Sequence, residues 1–412
     1  MKKDRNKLFL VMLLCITMIG TTLISACSKP DPEEPPAPAA NPLTGETAEQ
    51  GYDEASASRR VAAFVVENAP DARPQWGMDD PDYSPDIILQ GEVEGGITRT
   101  LWFYADYEKL PKIIGPTRSA RPPYVKFSEL FDSIFIHWGM SHTEGGYTGA
   151  DRIFKKHKVD HIDQMKLDDQ EGMYGRDDTR AVNVEHTGII YGDKVPATIK
   201  NLGFRIEPKD YTKLCFNRIE EPASETAATQ IGVKYSEQAW EDSYWTYDES
   251  DGMYHCKDFE NDLVRENLLV LEDDTEYIEK PNYRNSGSSV IYCDYKLAGG
   301  NGKYFSKGTV KDIKWQIVDG KLEIVDPSTD AATAQAANDE AHAAALEAAK
   351  ESEDGTWPVY NKYTIVSPEV AEGEEMSEED ILANSYVLQN LNVGKTWIGW
   401  ISRNHGGSVT SK

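Results

Sequence analysis

Cysteine is scarce in this sequence. The 412 residues include five cysteines, and no two of them have the Cys-x-x-Cys spacing of a zinc or redox site. Three cysteines follow residue 27: Cys215, Cys256 and Cys293. An odd number permits at most one disulfide within this part of the chain, so a Cys256–Cys293 bridge stays open. We interpret the three as small buried side chains, because none has a sequence setting that favours a thiolate.

Positive charge is also in short supply. The chain has 43 Lys and Arg residues against 70 Asp and Glu residues, which gives a formal net charge of −27. Such a surface repels phosphate backbones and anionic lipid headgroups. We therefore expect no nucleic-acid partner, and any attachment to a membrane must depend on something other than surface charge.

Recognised catalytic and cofactor motifs are missing. The sequence contains no Gly-x-Ser-x-Gly elbow, no phosphate-binding glycine loop, no dinucleotide fingerprint and no His-Glu-x-x-His. We accordingly expect neither a cofactor nor a bound metal ion. The sequence leaves open whether the protein is an enzyme.

Long hydrophobic runs are confined to the N-terminus. Basic residues at positions 2, 3, 5 and 7 precede an apolar run from Leu8 to Ile19, which is short for a membrane span and typical of a signal peptide. The following Ile24-Ser-Ala-Cys27 resembles a bacterial lipobox. We expect residues 1–26 to be a signal peptide and Cys27 to be lipidated, with palmitate for example. An uncleaved anchor or an ordinary secretory signal is the alternative, and all three place the chain outside the cytoplasm.

The composition divides the remainder of the chain into three parts. Residues 27–58 are rich in Pro, Ala, Glu and Ser and have few large apolar side chains, so they predict a disordered tether. The length that remains suits two domains. We place an N-terminal α+β domain at residues 59–206 and a mainly β domain at residues 207–412.

Four motifs in the first domain carry a resemblance to a known family. They are Val66-Glu-Asn-Ala-Pro-Asp-Ala-Arg-Pro-Gln75, Glu92-Val-Glu-Gly-Gly-Ile-Thr-Arg99, Ile114-Gly-Pro-Thr-Arg-Ser-Ala-Arg-Pro122 and Ile136-His-Trp-Gly139. In this order they resemble the YerB-like bacterial lipoproteins, a two-domain family of unassigned biochemical function. The resemblance implies that Arg176 and Arg180 form a pair of arginines shortly before a histidine, with His186 as the candidate. The flanking residues and the segment between Asp326 and Trp357 depart from the family pattern.

Hydrophobic periodicity predicts an α+β fold. Strands are expected at 61–67, 86–93, 98–104 and 133–137, with short helices at 125–133 and 144–156, and no sustained βαβ rhythm. The second domain alternates apolar and polar residues in several segments, which predicts a mainly antiparallel sheet. Its insertion, 328–356, is Ala-rich and predicts an exposed helix that begins after Asp330. The many aromatic side chains of the second domain suit either core packing, which we favour, or a carbohydrate or peptide groove.

The candidate site lies in the first domain. Gly115, Pro116 and Pro122 restrict the backbone around two arginines, and arginines bind carboxylate or phosphate through paired hydrogen bonds. Histidines nearby could exchange protons near neutral pH. The predicted ligand-binding residues are Arg118, Ser119, Arg121, His137, His142, Arg176, Arg180 and His186. The alternative is that each arginine pairs with an acidic residue such as Glu92, Glu94, Asp132 or Asp151 and only stabilises turns.

Two functional hypotheses follow. The first is a lipid-anchored protein on the extracytoplasmic face of the cell membrane that binds an anionic cell-envelope ligand or a protein partner. The second is a cell-envelope hydrolase or transferase that uses His137, His142 or His186 in acid–base chemistry. The enzyme hypothesis requires at least one of these histidines within hydrogen-bond reach of Arg118 or Ser119 in an open cleft.

Overall fold

The structure is a computed structural model that describes residues 31–281, 289–369 and 376–412. The predicted signal peptide and Cys27 lie outside the described residues. Among the described residues, contacts assign 31–37 and 340–359 to a small unit and those from 38 to 339 and from 360 to 412 to a large unit. Within the described ranges, no helix combines the length and the apolar composition needed to cross a bilayer.

Strands dominate the described chain, and the helices are short except for one. The helices are α1 (Pro122–Glu129), α2 (Ala150–His157), α3 (Val195–Leu202), α4 (Ala331–Glu351) and α5 (Glu378–Ala383). The strands are β1 (Ala62–Glu67), β2 (Ile87–Glu92), β3 (Thr98–Tyr104), β4 (Ile113–Ile114), β5 (Ile134–His137), β6 (His161–Asp163), β7 (Tyr174–Arg176), β8 (Gly188–Tyr191), β9 (Cys215–Phe216), β10 (Gln230–Lys234), β11 (Ser243–Asp248), β12 (Met253–Cys256), β13 (Leu263–Arg265), β14 (Asn267–Asp273), β15 (Thr275–Lys280), β16 (Val290–Tyr295), β17 (Gly300–Ser306), β18 (Thr309–Val318), β19 (Lys321–Val325), β20 (Thr364–Val366), β21 (Tyr386–Leu388), β22 (Asn390–Leu391), β23 (Thr396–Ser402) and β24 (Ser408–Ser411).

A large mixed sheet organises the fold. Within the described residues it has twelve strands in the order β20-β21-β19-β18-β17-β14-β23-β2-β3-β1-β5-β6. Strands β1, β5 and β6 run parallel to one another at one end, whereas β17, β18 and β19 are antiparallel. A second sheet has the strand order β13-β12-β11-β10-β24 and shares no strand with the first. The predicted α+β class is confirmed.

The central strands are apolar on both faces because each face covers its own core. In β1, Ala63 and Val65 belong to one core cluster, while Phe64 and Val66 belong to the other. All six residues of this strand are buried. Burial on both faces explains why Val61 to Glu67 reads as a continuous apolar run rather than an alternating one.

The twelve-stranded sheet crosses the boundary predicted between residues 206 and 207. Strand β23 comes from the C-terminal end of the chain, yet it pairs in parallel with β14 on one side and with β2 on the other. Residues 59–206 and 207–412 therefore contribute to one sheet. The position of β23 between β2 and β14 could not be predicted from the sequence, because strands that pair across a long sequence separation leave no local pattern.

The C-terminal part of the predicted tether, from residue 38, belongs to the large unit and is packed there, which corrects the expectation of disorder up to residue 58. Leu43 and Thr44 are fully buried. The carbonyl of Thr44 accepts a hydrogen bond from Gly394, and that of Pro42 accepts one from Leu214. A polar composition concealed this packing, because it depends on few large side chains, Leu43 and Tyr52, and on backbone hydrogen bonds.

The aromatic residues of the second half mostly pack in the core. Trp245, Trp315, Trp397, Trp400 and Tyr254 are buried, whereas Trp240 and Tyr244 are exposed. The packing explanation therefore accounts for the larger part of the set. All three cysteines beyond residue 27 are free thiols, so the Cys256–Cys293 disulfide is not formed.

The Ala-rich insertion forms the predicted helix. Helix α4 spans 21 residues, and the carboxylate of Asp330 accepts a hydrogen bond from the backbone N–H of Thr333 at 2.9 Å. This bond satisfies one of the free N–H groups at the start of a helix, as an N-cap residue does. Within the small unit, His342 of this helix faces Glu34 with an Nδ1–Oε2 distance of 3.3 Å.

Candidate functional site

A cleft of about 880 Å³ opens beyond the carboxyl ends of the parallel strands β1, β5 and β6. These strands end at Glu67, His137 and Asp163. Carboxyl ends of adjacent parallel strands meet at one edge of a sheet, and ligands commonly bind there. The residues that line the cleft are Thr117, Arg118, Ser119, Arg121, Trp138, Gly139, Met140, Ser141, His142, Glu144, Asp163, Met165, Lys166, Arg176, Asn183, Val184, Glu185, Gly188, Lys280 and Tyr292.

Backbone hydrogen bonds hold the arginine segment between two strand ends. The N–H of Arg118 donates to the carbonyl of Val65 at 3.1 Å, and the carbonyl of Arg118 accepts from Trp138 at 3.1 Å. The N–H of Ala120 donates to the carbonyl of Gly139 at 2.9 Å, and helix α1 begins at Pro122. The restricted presentation that the prolines predict is thus supported by pairing to the ends of β1 and β5.

Arg118 is paired with carboxylates. Its Nε lies 2.8 Å from Oε1 of Glu67, and its Nη2 lies 3.1 Å from Oε2 of Glu185. Glu67 is 1% exposed and also faces Nδ1 of His186 at 3.0 Å through its second oxygen. Glu67 therefore holds Arg118 and His186 together, and His186 does not line the cleft itself.

Arg121 is paired more deeply still. Two of its three guanidinium nitrogens, Nε and Nη2, donate to the carboxylate of Glu94, which also lies 3.4 Å from Arg99. Burial acts to raise the pKa of Glu94, but Arg121 and Arg99 outweigh it and lower that pKa to about 2. Arg118 and Arg121 line the cleft, and we call them, together with their buried partners Glu67 and Glu94, the inner wall.

His137, the last residue of β5, and His161, the first residue of β6, form a hydrogen-bonded pair. His137 is fully buried, and its Nδ1 lies 2.7 Å from the carbonyl oxygen of Gly139. Since that oxygen can only accept, Nδ1 carries the proton and Nε2 accepts from Nδ1 of His161 at 2.9 Å. Burial, opposed by Asp163, lowers the pKa of His137 to about 4. His137 is therefore a neutral structural residue near pH 7 and does not reach the cleft surface.

Two cations line the cleft without a carboxylate partner. The guanidinium of Arg176 lies 4.2 Å from the centre of the Trp138 ring and donates to the carbonyl of Val184 and to Thr187. In the part of the chain that the structure describes, neither Arg176 nor Lys166 forms an ion pair, and both are exposed. Cations that remain unpaired in so acidic a protein are available to an external anion.

Two large apolar side chains stand beside these cations. Met165 is 68% exposed and Val184 is 63% exposed, and both line the same cleft. Met165 and Lys166 follow β6 in the chain. Arg176 is the last residue of β7, and Val184 follows that strand. We call Met165, Lys166, Arg176 and Val184 the outer rim.

Part of the cleft comes from the second half of the chain, which the sequence analysis did not connect to the site. Lys280 is 7% exposed and donates to the carbonyl of His142 at 3.1 Å, and it pairs with Glu144 at 3.3 Å. Tyr292 lies under Arg121, with 5.4 Å between the guanidinium and the ring centre. Lys280 is the last residue of β15 and Tyr292 lies in β16, and these two strands pair in antiparallel fashion. No local signal in the sequence identifies them.

The other predicted residues are placed differently. The hydroxyl of Ser119 donates to the carbonyl of Trp138 at 3.1 Å, and the side chain of His142 is 67% exposed at the cleft surface. Arg180 lies outside the cleft lining: it pairs with Asp177 at 3.1 Å and donates to the carbonyls of Ala72 and Pro74. Arg180 thus stabilises a turn, as the alternative explanation for the arginines expects.

The geometry does not assemble the histidines with a nucleophile. Among the described residues, none of His137, His142 and His186 is hydrogen-bonded to Arg118 or Ser119. The contact that would support the hydrolase or transferase hypothesis is therefore not formed among these residues, and that hypothesis stays a prediction. In the same ranges, no group of three or more His, Cys, Asp or Glu side chains is arranged to hold a metal ion.

Comparisons with known proteins agree with the motifs. Residues 43–205 match the family described as "Protein of unknown function (DUF3048) N-terminal domain". The chain is 26% identical over 291 residues to "Putative lipoprotein YerB" of Bacillus subtilis (strain 168), covering 68% of this chain and 79% of that protein. A crystal structure of the Bacillus subtilis YerB protein matches with a TM-score of 0.59 and 21% identity, over 90% of this chain and all of that chain. The resemblance to the YerB-like lipoproteins is confirmed, and the fold is shared.

Proposed function

Proceeding from this resemblance, we propose that the protein is a lipid-anchored lipoprotein on the extracytoplasmic face of the cell membrane and that its cleft binds an anionic ligand. The anchor is supported by the lipobox-like Ile24-Ser-Ala-Cys27 and by the name of the Bacillus subtilis relative. Two or more acyl chains hold a protein stably on a membrane. The ligand is an anionic component of the cell envelope or an acidic segment of a protein partner.

The observation that carries the ligand proposal is the pair of unneutralised cations on the outer rim. Lys166 and Arg176 are exposed in a cleft of about 880 Å³, and within the described chain they have no carboxylate partner. The chain as a whole has 27 more negative than positive charges. Long-range attraction between an anion and this protein is therefore weak, so binding depends on local contacts and gains from each paired hydrogen bond.

A titration tests the ligand proposal. The purified full chain, held in nanodiscs of neutral lipid, is titrated with inorganic phosphate and with soluble peptidoglycan fragments at low salt. We expect the double variant Lys166→Gln, Arg176→Gln to lower the affinity at least tenfold for whichever probe binds. Two charges are removed, so the matched control is Arg152→Gln, Lys314→Gln, which changes the net charge equally outside the cleft. Equal affinity in both double variants would contradict a site at the outer rim.

A labelling experiment tests the anchor. Cells that express the chain are given radiolabelled palmitate, and the membrane fraction is analysed for label on the protein. We expect Cys27→Ser to abolish the label and to release the protein from the membrane. Cys15→Ser is the matched control, because Cys15 lies inside the segment expected to be removed. Label that persists in the Cys27→Ser protein would refute lipidation at this residue.

A further inference from the structure

The outer rim combines positive charge with exposed apolar surface. Met165 and Val184 are 68% and 63% exposed, whereas the large apolar residues of the central strands are buried. Met165 is adjacent to Lys166 in the sequence, and Val184 lies eight positions after Arg176. Both line the same cleft as those cations.

The backbone fixes both apolar residues in place. The N–H of Met165 donates to Oδ1 of Asp163 at 3.1 Å, and this carboxylate also accepts from Gly139 at 2.8 Å. The carbonyl of Val184 accepts from Arg176 and from Thr187. The exposure of the two side chains is therefore a feature of a hydrogen-bonded scaffold rather than of a loose loop.

An aromatic ring lines the same cleft. Trp138 is half-buried and carries Arg176 over its ring, and it lines the cleft together with Met140. An inorganic ion that paired with Arg176 and Lys166 would leave this apolar surface in water. A ligand with an apolar substituent next to its charge would cover it and gain from the burial.

We infer that the cleft is selective for an amphiphilic anion, in which a phosphate or carboxylate is attached to an apolar chain of several carbon atoms. This inference rests on the proposed function, because it assigns the anionic group to Lys166 and Arg176. It adds that Met165, Val184 and Trp138 contact the apolar group. Charge and apolar surface thus recognise two parts of one molecule.

A homologous series of probes tests the inference. The full chain in nanodiscs of neutral lipid is titrated with inorganic phosphate, methyl phosphate and hexyl phosphate, and acetate and hexanoate are compared in the same way. Protein-free nanodiscs give the correction for partition into lipid. We expect hexyl phosphate to bind at least tenfold more tightly than methyl phosphate, which corresponds to about 1.4 kcal/mol. The phosphate and carboxylate arms distinguish the two headgroups.

Variants then separate the two parts of the site. Met165→Ser, Val184→Ser is expected to abolish the advantage of hexyl phosphate and to leave the affinity for methyl phosphate unchanged. Ile219→Ser, which removes an exposed apolar side chain outside the cleft, is the control and should keep the advantage. Lys166→Gln, Arg176→Gln should weaken every probe.

The outcomes distinguish this inference from the proposed function. Equal affinity for methyl and hexyl phosphate, with both weakened by loss of the rim cations, overturns the inference and leaves the anion site standing. No binding of any probe overturns both. An advantage of hexyl phosphate that persists in Met165→Ser, Val184→Ser also overturns the inference, since the apolar contact would then lie elsewhere.

Discussion

Arg121 on the inner wall and Arg176 on the outer rim line the same cleft, yet their guanidinium groups have different surroundings. Arg121 is 7% exposed and is bound through two nitrogens by Glu94, whereas Arg176 is exposed and lies over the ring of Trp138. A buried guanidinium needs a carboxylate because the loss of water is costly, and an exposed one does not. The inner wall therefore maintains the shape of the cleft, and the outer rim is available to a ligand.

Removing the carboxylate of the inner wall should have the largest effect on stability. We expect Glu94→Gln to lower the free energy of unfolding by about 3 to 5 kcal/mol, because it leaves Arg99 and Arg121 buried without a counter-charge. Chemical denaturation at pH 7 measures the change. Asp312→Asn removes a carboxylate that is 75% exposed and whose partner, Lys303, is 37% exposed, and it should cost about 1 kcal/mol or less. Similar losses in the two variants would contradict the distinction.

Acid should weaken the structure around His137. Burial lowers the pKa of His137 to about 4, below the value of about 6.5 for an unfolded histidine. Between pH 6.5 and pH 4 the unfolded chain binds a proton that the folded chain does not, so stability falls as the pH falls through this window. The loss from this group is on the order of 3 kcal/mol at pH 4 and below.

The pH dependence has its own control. Denaturation curves at pH 7, 6, 5 and 4 are compared between the unchanged chain and His137→Gln, which cannot titrate. The variant is expected to be less stable at pH 7 but to lose less stability on acidification. Parallel curves for the two proteins would show that His137 does not contribute to the acid response.

A substitution at Gly188 tests whether anion binding at the outer rim depends on the position of the Trp138 ring. A Cβ atom at Gly188 would lie 2.8 Å from the Trp138 ring, so Gly188→Ala forces the ring to move. We expect a loss of about 1 to 3 kcal/mol in stability, as for other overpacked sites, together with weaker binding of anions. Gly146→Ala adds a Cβ where no atom lies within 4 Å and should change neither quantity. Unchanged binding in Gly188→Ala would show that Arg176 acts independently of Trp138.

The smallest expected effect concerns the outer rim itself. Lys166→Gln, Arg176→Gln should change the free energy of unfolding by no more than about 0.5 kcal/mol, because neither cation neutralises a buried group. Chemical denaturation under the conditions used for Glu94→Gln allows a direct comparison. A loss of several kcal/mol would assign the rim cations to the support of the fold.

Local sequence patterns anticipated many elements of the fold. Asp-Gly is a typical hairpin turn, and Asp319-Gly320 does join β18 and β19, while Glu94 to Gly96 lie between β2 and β3. The helix predicted at 125–133 starts earlier, at Pro122, because proline suits the first turn of a helix. Such features depend on neighbouring residues, which is why one sequence suffices to find them.

The site was anticipated only in part. Arg118, Ser119, Arg121, His142 and Arg176 do line the cleft, and Glu94 had been considered as an arginine partner. Glu67 was missed because it ends a strand of otherwise apolar residues, although a charged residue at a buried strand end is a signal that could have identified it. Lys280 could not be found in this way, since its contact with His142 joins residues 138 positions apart.

The position of β23 has a consequence for folding during synthesis. Its partners β2 and β14 are made long before residues 396–402, and until these arrive each partner lacks its neighbour in the sheet. During synthesis the growing chain must keep two apolar edges apart from other polypeptides. A chain that lacks β23 would therefore expose strand edges, which favour aggregation.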